Sequence, residues 1–276
     1  MGQIDELWRY DGRRVVVTGC ASGIGAQVVR QLTELGADVV GLDKQPPKSD
    51  VGEFFRVDLA DAESIDRAVA SLGPTVDSLF NVAGVSSGIG DPLLVVTINF
   101  LGLRHITEAV TPKMAPGSSI VSVSSLAAAA YREHQETVAG LLNTQTIQEG
   151  IGWCHSHPEA LADGGYRLSK EAIILYTMRS TAALGAQGIR INCTGPGVTE
   201  TPILDQLRAA YGQAYLDQIP KPLGRVAHPC EQAAVLAFLN SQAASYISGQ
   251  VLWVDGGNVG AAIADGLEPG RAPWPA

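Results

Sequence analysis

Short apolar runs closed by glycine or aspartate alternate along the chain with longer segments whose apolar positions recur at helical spacing. The runs RVVVTG (14–19), DVVGLD (38–43), FFRVD (54–58), SLFNVAG (78–84), SIVSVSS (119–125), IRINCTG (189–195) and QVLWVDG (250–256) predict seven strands. Segments 24–35, 61–71, 166–184 and 229–240 predict helices between them. Strands this apolar on both faces belong in a parallel sheet covered by helices on each side, so the pattern predicts one doubly wound α/β domain spanning all 276 residues. Residues 1–13 form a polar N-terminal extension, and two segments break the rhythm: an overlong connection at 126–165 and a C-terminal tail at 258–276 ending in EPGRAPWPA, expected to be loose.

Composition narrows the partners. With 46% hydrophobic and 17% charged residues the chain can build a large core, and its net charge of -9 opposes binding to nucleic acid or an anionic membrane. No run of about 18 consecutive apolar residues and no leader-like N-terminus is visible, which predicts a cytoplasmic protein with a small-molecule partner and no membrane span. Cys20, Cys154, Cys193 and Cys230 are scattered and form no CxxC, so reduced thiols are expected rather than a disulfide framework. The string WCHSHPE gathers Cys154, His155, His157 and Glu159, but structural zinc ligands come as two separated pairs and no second pair exists; no metal is expected. The stripe Leu175, Met178, Ala182 reads as core or subunit interface.

Two strings carry chemistry. TGCASGIG, Thr18 to Gly25, follows the first strand and opens the first helix, where Gly19, Gly23 and Gly25 allow a tight turn and free N–H groups favour a pyrophosphate. Asp43 ends the second strand, the place from which a carboxylate accepts from adenosine ribose hydroxyls and repels a 2′-phosphate; NAD is therefore expected over NADP, with Lys44 beside it the one opposing feature. In YRLSK, Tyr166 and Lys170 sit four apart and share a helical face. An ammonium beside a phenol stabilises the phenolate, so the pair can move a proton to or from a substrate oxygen.

TGxxxGxG, NVAG (81–84) and YRLSK together resemble the short-chain dehydrogenase/reductase family, with its Rossmann-type fold, from about Arg14 to Gly257. That resemblance implies catalytic roles for Asn99, Ser125, Tyr166 and Lys170: Asn99 holds a water leading to the lysine, Ser125 (or its neighbour Ser124) holds the substrate oxygen, Tyr166 is the acid and base, and Lys170 also holds the nicotinamide ribose. It implies cofactor contacts at Gly19, Ser22, Gly23, Ile24, Gly25, Asp43, Asp58, Leu59, Asn81, Ala83 and Gly84. Further on, Pro196 and Gly197 shape a loop, with Thr199 and Thr201 at the carboxamide. Val82 replaces the family's second asparagine, and Asp58 or Asp61 equally suits a helix N-cap.

The long gap from Ser125 to Tyr166 and the string GPGVTETPIL resemble the hydroxysteroid dehydrogenase/carbonyl reductase and coniferyl-alcohol dehydrogenase branches. The function so implied is NAD-dependent interconversion of a bulky hydrophobic or aromatic alcohol and its carbonyl by a homodimer or homotetramer. The alternatives are an NAD-binding sensor or scaffold without turnover and a carbonyl reductase of unrelated substrate class. Within 126–165, Val138, Leu141, Leu142 and Ile147 predict an apolar helical stripe, and the excursion is expected both to border the substrate pocket and to restrict assembly.

Overall fold

The computed structural model describes residues 4–48 and 51–267. Its elements run α1 (Ile4–Trp8), β1 (Arg14–Thr18), α2 (Gly23–Glu34), β2 (Asp38–Asp43), β3 (Glu53–Arg56), α3 (Ala62–Ser71) and β4 (Ser78–Asn81), then α4 (Pro92–Val96), a π-helical turn (Thr97–Gly102), α5 (Leu103–Val110) and β5 (Ser119–Val123). The second half holds α6 (Gln135–Leu142), α7 (Ile147–Ser156), α8 (Tyr166–Gly185), β6 (Arg190–Pro196), α9 (Pro202–Tyr211), α10 (Gln213–Asp217), α11 (Pro229–Asn240), β7 (Val251–Val254) and α12 (Asn258–Leu267). The strands form one parallel sheet in the order β3-β2-β1-β4-β5-β6-β7.

Alternation along each strand divides the core. Val15, Val17, Val39, Phe80, Val121 and Val123 face α2 and α11, packing on Val28, Leu32, Ala233 and Leu236. Their neighbours Val16, Val40, Leu79 and Ile120 face the other side, against Ile65 of α3, Ile106 of α5 and Ile173 of α8. Successive side chains of a strand point to opposite faces, so unbroken valine runs are what a sheet buried on both sides requires.

The chain reverses its order across the sheet between β1 and β4, which opens a crevice at the carboxyl ends of the strands. This explains why the predicted strands overshoot. Val82 to Gly84 and Ser124 to Ser125 continue the apolar or small-residue pattern, but have left the ladder to form the crevice wall.

The three irregular segments are more ordered than their sequences suggest. The N-terminal extension carries α1, and Tyr10 is fully buried with its hydroxyl donating to the Ala237 carbonyl at 2.6 Å. The tail is not loose at its start: α12 occupies Asn258–Leu267, capped by Asp255 Oδ2 accepting from the Val259 N–H, while EPGRAPWPA from 268 lies outside the described residues. The excursion forms α6 and α7. Its predicted stripe does find a partner surface: Val138, Leu141 and Ile147 join the core beside α5 and α8, with Leu142 packed at its margin. Arg104 of α5 donates to the carbonyls of Thr144 and Thr146, and Arg179 of α8 to those of Leu142 and the Asn143 side chain. Of the excursion 126–165 only its first two residues, Leu126 and Ala127, border the crevice; none of 128–165 does, and the apolar stripe expected there is consumed by the core.

One helical stretch among the described residues, Pro92–Lys113, is long and apolar enough by composition to cross a membrane, although Asn99, Arg104 and His105 keep it from being an unbroken apolar run. It is 67% buried within the fold, as the central helix of a packed core is.

Candidate active site

The crevice is a cleft of about 410 Å³, lined by residues that follow β1, β2, β4, β5 and β6 and roofed by α9 and α10. At one end lies the glycine turn. Gly19 adopts φ +73° with its Cα pressed on Ala83, where an added methyl would sit 2.7 Å from the Ala83 Cα. A methyl on Gly25 would lie 2.0 Å from the Gly19 carbonyl, so only glycine lets α2 start so close to the turn. Ser22 occupies the N-cap of α2 without a side-chain cap bond, leaving the first N–H groups of the helix directed into the cleft. A backbone stripped of side chains at an uncapped helix start fits a pyrophosphate. Ser22 and Ile24 line the same wall.

Beyond the turn, Asp43 is fixed by two N–H groups: Ala21 donates to Oδ2 and Gln45 to Oδ1, each at 3.0 Å. Lys44, the feature that opposed an NAD reading, turns to Asp58 at 2.6 Å, and this contact is the main cause holding the Asp58 carboxyl below its ordinary range. Asp58 also accepts from the Ala60 N–H, and Leu59 lines the cleft beside it. The N-cap of α3 is Asp61, whose side chain accepts from Glu63.

At the other end, Ser125, Tyr166 and Lys170 line one wall together. Tyr166 is the first residue of α8, placed there by Gly164 and Gly165, both at positive φ; a methyl on Gly165 would come within 2.4 Å of the Pro92 carbonyl. That close approach is the reason for the glycine pair before the tyrosine. Lys170 is 4% exposed, donates from Nζ to the Val123 carbonyl at 2.9 Å, and lies 5.7 Å from the centre of the Tyr166 ring. Burial pushes the lysine down to about 8 and pushes the Tyr166 phenol up, while the Ser125 hydroxyl pulls the phenol back. In this geometry the phenol is raised first by burial and drawn back by the Ser125 hydroxyl. Both Ser124 and Ser125 line the cleft, but the Ser124 hydroxyl is committed to the Lys170 carbonyl at 2.7 Å, whereas the Ser125 hydroxyl is the one that acts on the Tyr166 phenol.

Two predicted site residues do not reach the cleft wall. Asn81 is buried beneath it, its amide donating to Thr107 and Ser122, because the strand pleat turns residue 81 toward α5 and leaves Ala83 and Gly84 at the surface. Asn99 lies in the π-helical turn and clasps the Val85 backbone, accepting from its N–H at 2.8 Å and donating to its carbonyl at 2.9 Å. A methyl on Gly84 would lie 3.1 Å from Asn99 Oδ1 and 3.4 Å from Lys170 Nζ, so the asparagine adjoins the lysine while fully engaged with protein. Pro196, Gly197, Thr199 and Thr201 all line the cleft, and Thr201 packs within reach of Gly23, closing the loop onto the glycine turn.

Sequence reasoning missed the roof. Ile203, Leu204, Leu207, Tyr215, Leu216 and Ile219 line the cleft, while Asp205, Arg208 and Asp217 on the same helices do not. Their 3–4 residue spacing was the available signal. Cross-cleft bonds seat the roof, from Tyr211 to Ser87 at 3.1 Å and from Ser86 to Gln206 at 3.2 Å. The WCHSHPE residues separate: Cys154 joins the core and His157 stacks on Trp153, and no cluster of three or more metal-binding side chains occurs among the described residues.

Comparison with known proteins agrees with this geometry. The sequence model described as short chain dehydrogenase matches residues 13–137, and one described as Enoyl-(Acyl carrier protein) reductase matches 156–258. The chain is 36% identical to a coniferyl-alcohol dehydrogenase of a Pseudomonas species over 89% of its own length and 96% of the relative's. It is 31% identical to the 3-alpha-hydroxysteroid dehydrogenase/carbonyl reductase of Comamonas testosteroni over 88% and 95%. A 3-alpha-hydroxysteroid dehydrogenase from Pseudomonas, solved with NADH, superposes with a TM-score of 0.77 at 29% identity, covering 94% of this chain and all of that one. The chain thus belongs to the short-chain dehydrogenase/reductase family, oxidoreductases of alcohols and carbonyls that bind a nicotinamide cofactor.

Proposed function

We propose that this chain is an NAD-dependent dehydrogenase of uncharged, bulky hydrophobic or aromatic alcohols, or a reductase of the matching carbonyls. The observation that carries the reading is the distribution of charge in the cleft. Asp43, Lys44 and Asp58 cluster at the end of β2, Lys170 stands at the reacting centre, and the whole roof from 202 to 219 presents apolar or neutral side chains. A substrate carboxylate under that roof would lose hydration without gaining a partner, a cost of several kcal/mol. Neutral substrates such as the one in the name of the coniferyl-alcohol dehydrogenase suit this lining; the relative named for cis-4-hydroxycyclohexanecarboxylate acts on an anion, for which this cleft offers no counter-charge on the roof.

Glycine turn, Asp43 and the 196–201 loop would hold the cofactor, which when bound accepts the hydride from the carbinol carbon or returns it. The protein's own residues manage the proton. Ser125 donates to the substrate oxygen, where negative charge develops as the hydroxyl proton leaves in oxidation and as the carbonyl is reduced in the reverse direction. Tyr166 takes the hydroxyl proton in oxidation and gives it back in reduction. Lys170, anchored on Val123 and stripped of water, supplies donors and positive charge next to the phenol. Asp43, with Lys44 drawn to Asp58, meets a 2′-phosphate with like charge, which supports NAD. The alternative of a binding-only sensor gains no observation of its own. Titration of the purified protein with NAD and NADP, followed by turnover with paired neutral and carboxylate-bearing alcohols, tests the reading; NADP preference or selective turnover of the anions overturns it.

A further inference from the structure

The 196–201 loop is fastened by a closed ring of hydrogen bonds whose one side-chain amide comes from outside the loop. Gln232, on α11 and 1% exposed, donates from Nε2 to the Val254 carbonyl at 2.8 Å and to Thr199 Oγ1 at 3.3 Å. Thr199 Oγ1 donates in turn to the Gly197 carbonyl at 2.9 Å, and the Gly197 N–H returns to the Val254 carbonyl at 3.0 Å. Both of Gln232's contacts need a donor, so the amide orientation is fixed, and its buried Oε1 has no hydrogen-bond partner among the described residues. A buried acceptor without a donor is destabilising, whereas leucine or methionine would fill the same space without that penalty. A polar side chain kept there at a loss calls for a role that packing does not supply.

The position of the ring indicates that role. Thr199 bridges to Ala227 so that the N–H of Glu200 and the carbonyl of Val198 face Ala227, and the Thr199 N–H has no acceptor among the described residues. Thr199 and Gly197 line the cleft; Gln232 does not. We propose that Gln232 is a positioning residue, which acts through the Thr199 hydroxyl to hold this stretch of backbone at the nicotinamide end of the cofactor and contributes nothing to the adenosine end. The inference rests on the cofactor reading above.

The two ends can be separated by ligand choice. Calorimetric or fluorescence titration of Gln232→Leu should show affinity for the dinucleotide that wild type prefers reduced about 10-fold. Affinity for ADP-ribose, or its 2′-phosphate if NADP is preferred, should stay within about two-fold. A loosened scaffold weakens both ligands alike, because Gly19 and Asp43 share the same frame. Gln232→Met serves the same purpose if the leucine variant folds poorly. Thr199→Val should reproduce the selective loss, and the double variant should be no worse than either single one, since both break one ring. Equal weakening of dinucleotide and ADP-ribose, unchanged dinucleotide affinity, or additive losses in the double variant would each overturn the proposal. A wild-type protein that binds neither dinucleotide would instead remove the cofactor reading itself.

Discussion

At the scale of single residues the reacting centre is governed by burial. Tyr166→Phe removes the titrating hydroxyl and keeps the ring, so turnover is expected to fall at least about 100-fold while cofactor affinity is retained; steady-state kinetics beside a binding titration check both halves. Burial raises the wild-type phenol, so alcohol oxidation, which needs the base form, should accelerate as pH rises, and carbonyl reduction should slow. Lys170 yields a stability expectation of definite sign. Its pKa falls from 10.5 to about 8 on folding, so between those values the unfolded chain binds the extra proton and stability rises with pH. Below about pH 8 the cost of the buried charge is fully present, on the order of 3 kcal/mol for a displacement of this size. Lys170→Met should therefore unfold at higher urea than wild type near pH 7, with the gap closing toward pH 10. A gap that widens with pH would show that the lysine is not held against its charge.

At the scale of elements the site is a set of strand ends and helix starts. Gly25→Ala places a methyl against the Gly19 carbonyl and must push α2 away from the turn. Dinucleotide affinity should drop by more than about 10-fold with little change in circular dichroism. Asp43→Ala should narrow the preference for NAD over NADP, mainly through weaker NAD binding; an unchanged ratio would deny Asp43 that role. Most of this frame was legible in the sequence, because β1, β2, β4, β5 and β6 announce themselves as short apolar runs, the glycine turn follows β1 and YRLSK opens a helix. What escaped has a physical cause in each case. The pleat decides that Asn81 points toward α5, and the π-helical turn directs Asn99 onto Val85, neither of which residue spacing along a string reveals. Gln232 escaped because a lone glutamine in a helix carries no pattern, and its partners lie 22 and 33 positions away.

At the scale of the whole molecule the excursion is a structural layer rather than an appendage. Leu141 is fully buried between α6 and the core, so Leu141→Ala should cost about 2–5 kcal/mol in urea unfolding and leave substrate preference unchanged, since 128–165 does not line the cleft. Because α6 and the 143–146 link lie over α5 and α8, those helices have little free surface for a second copy, and light scattering is expected to give no species larger than a dimer. The cleft, its acidic cofactor end and its uncharged roof together are what support the proposed dehydrogenase of neutral alcohols. The most direct test follows formation of reduced nicotinamide when the purified chain is given NAD or NADP with aryl and alicyclic alcohols, each beside its carboxylate-bearing analogue. Reduction of NAD at least about 10-fold more efficient than of NADP, confined to the neutral alcohols, is the expected result; preference for NADP, or for the carboxylates, would contradict it.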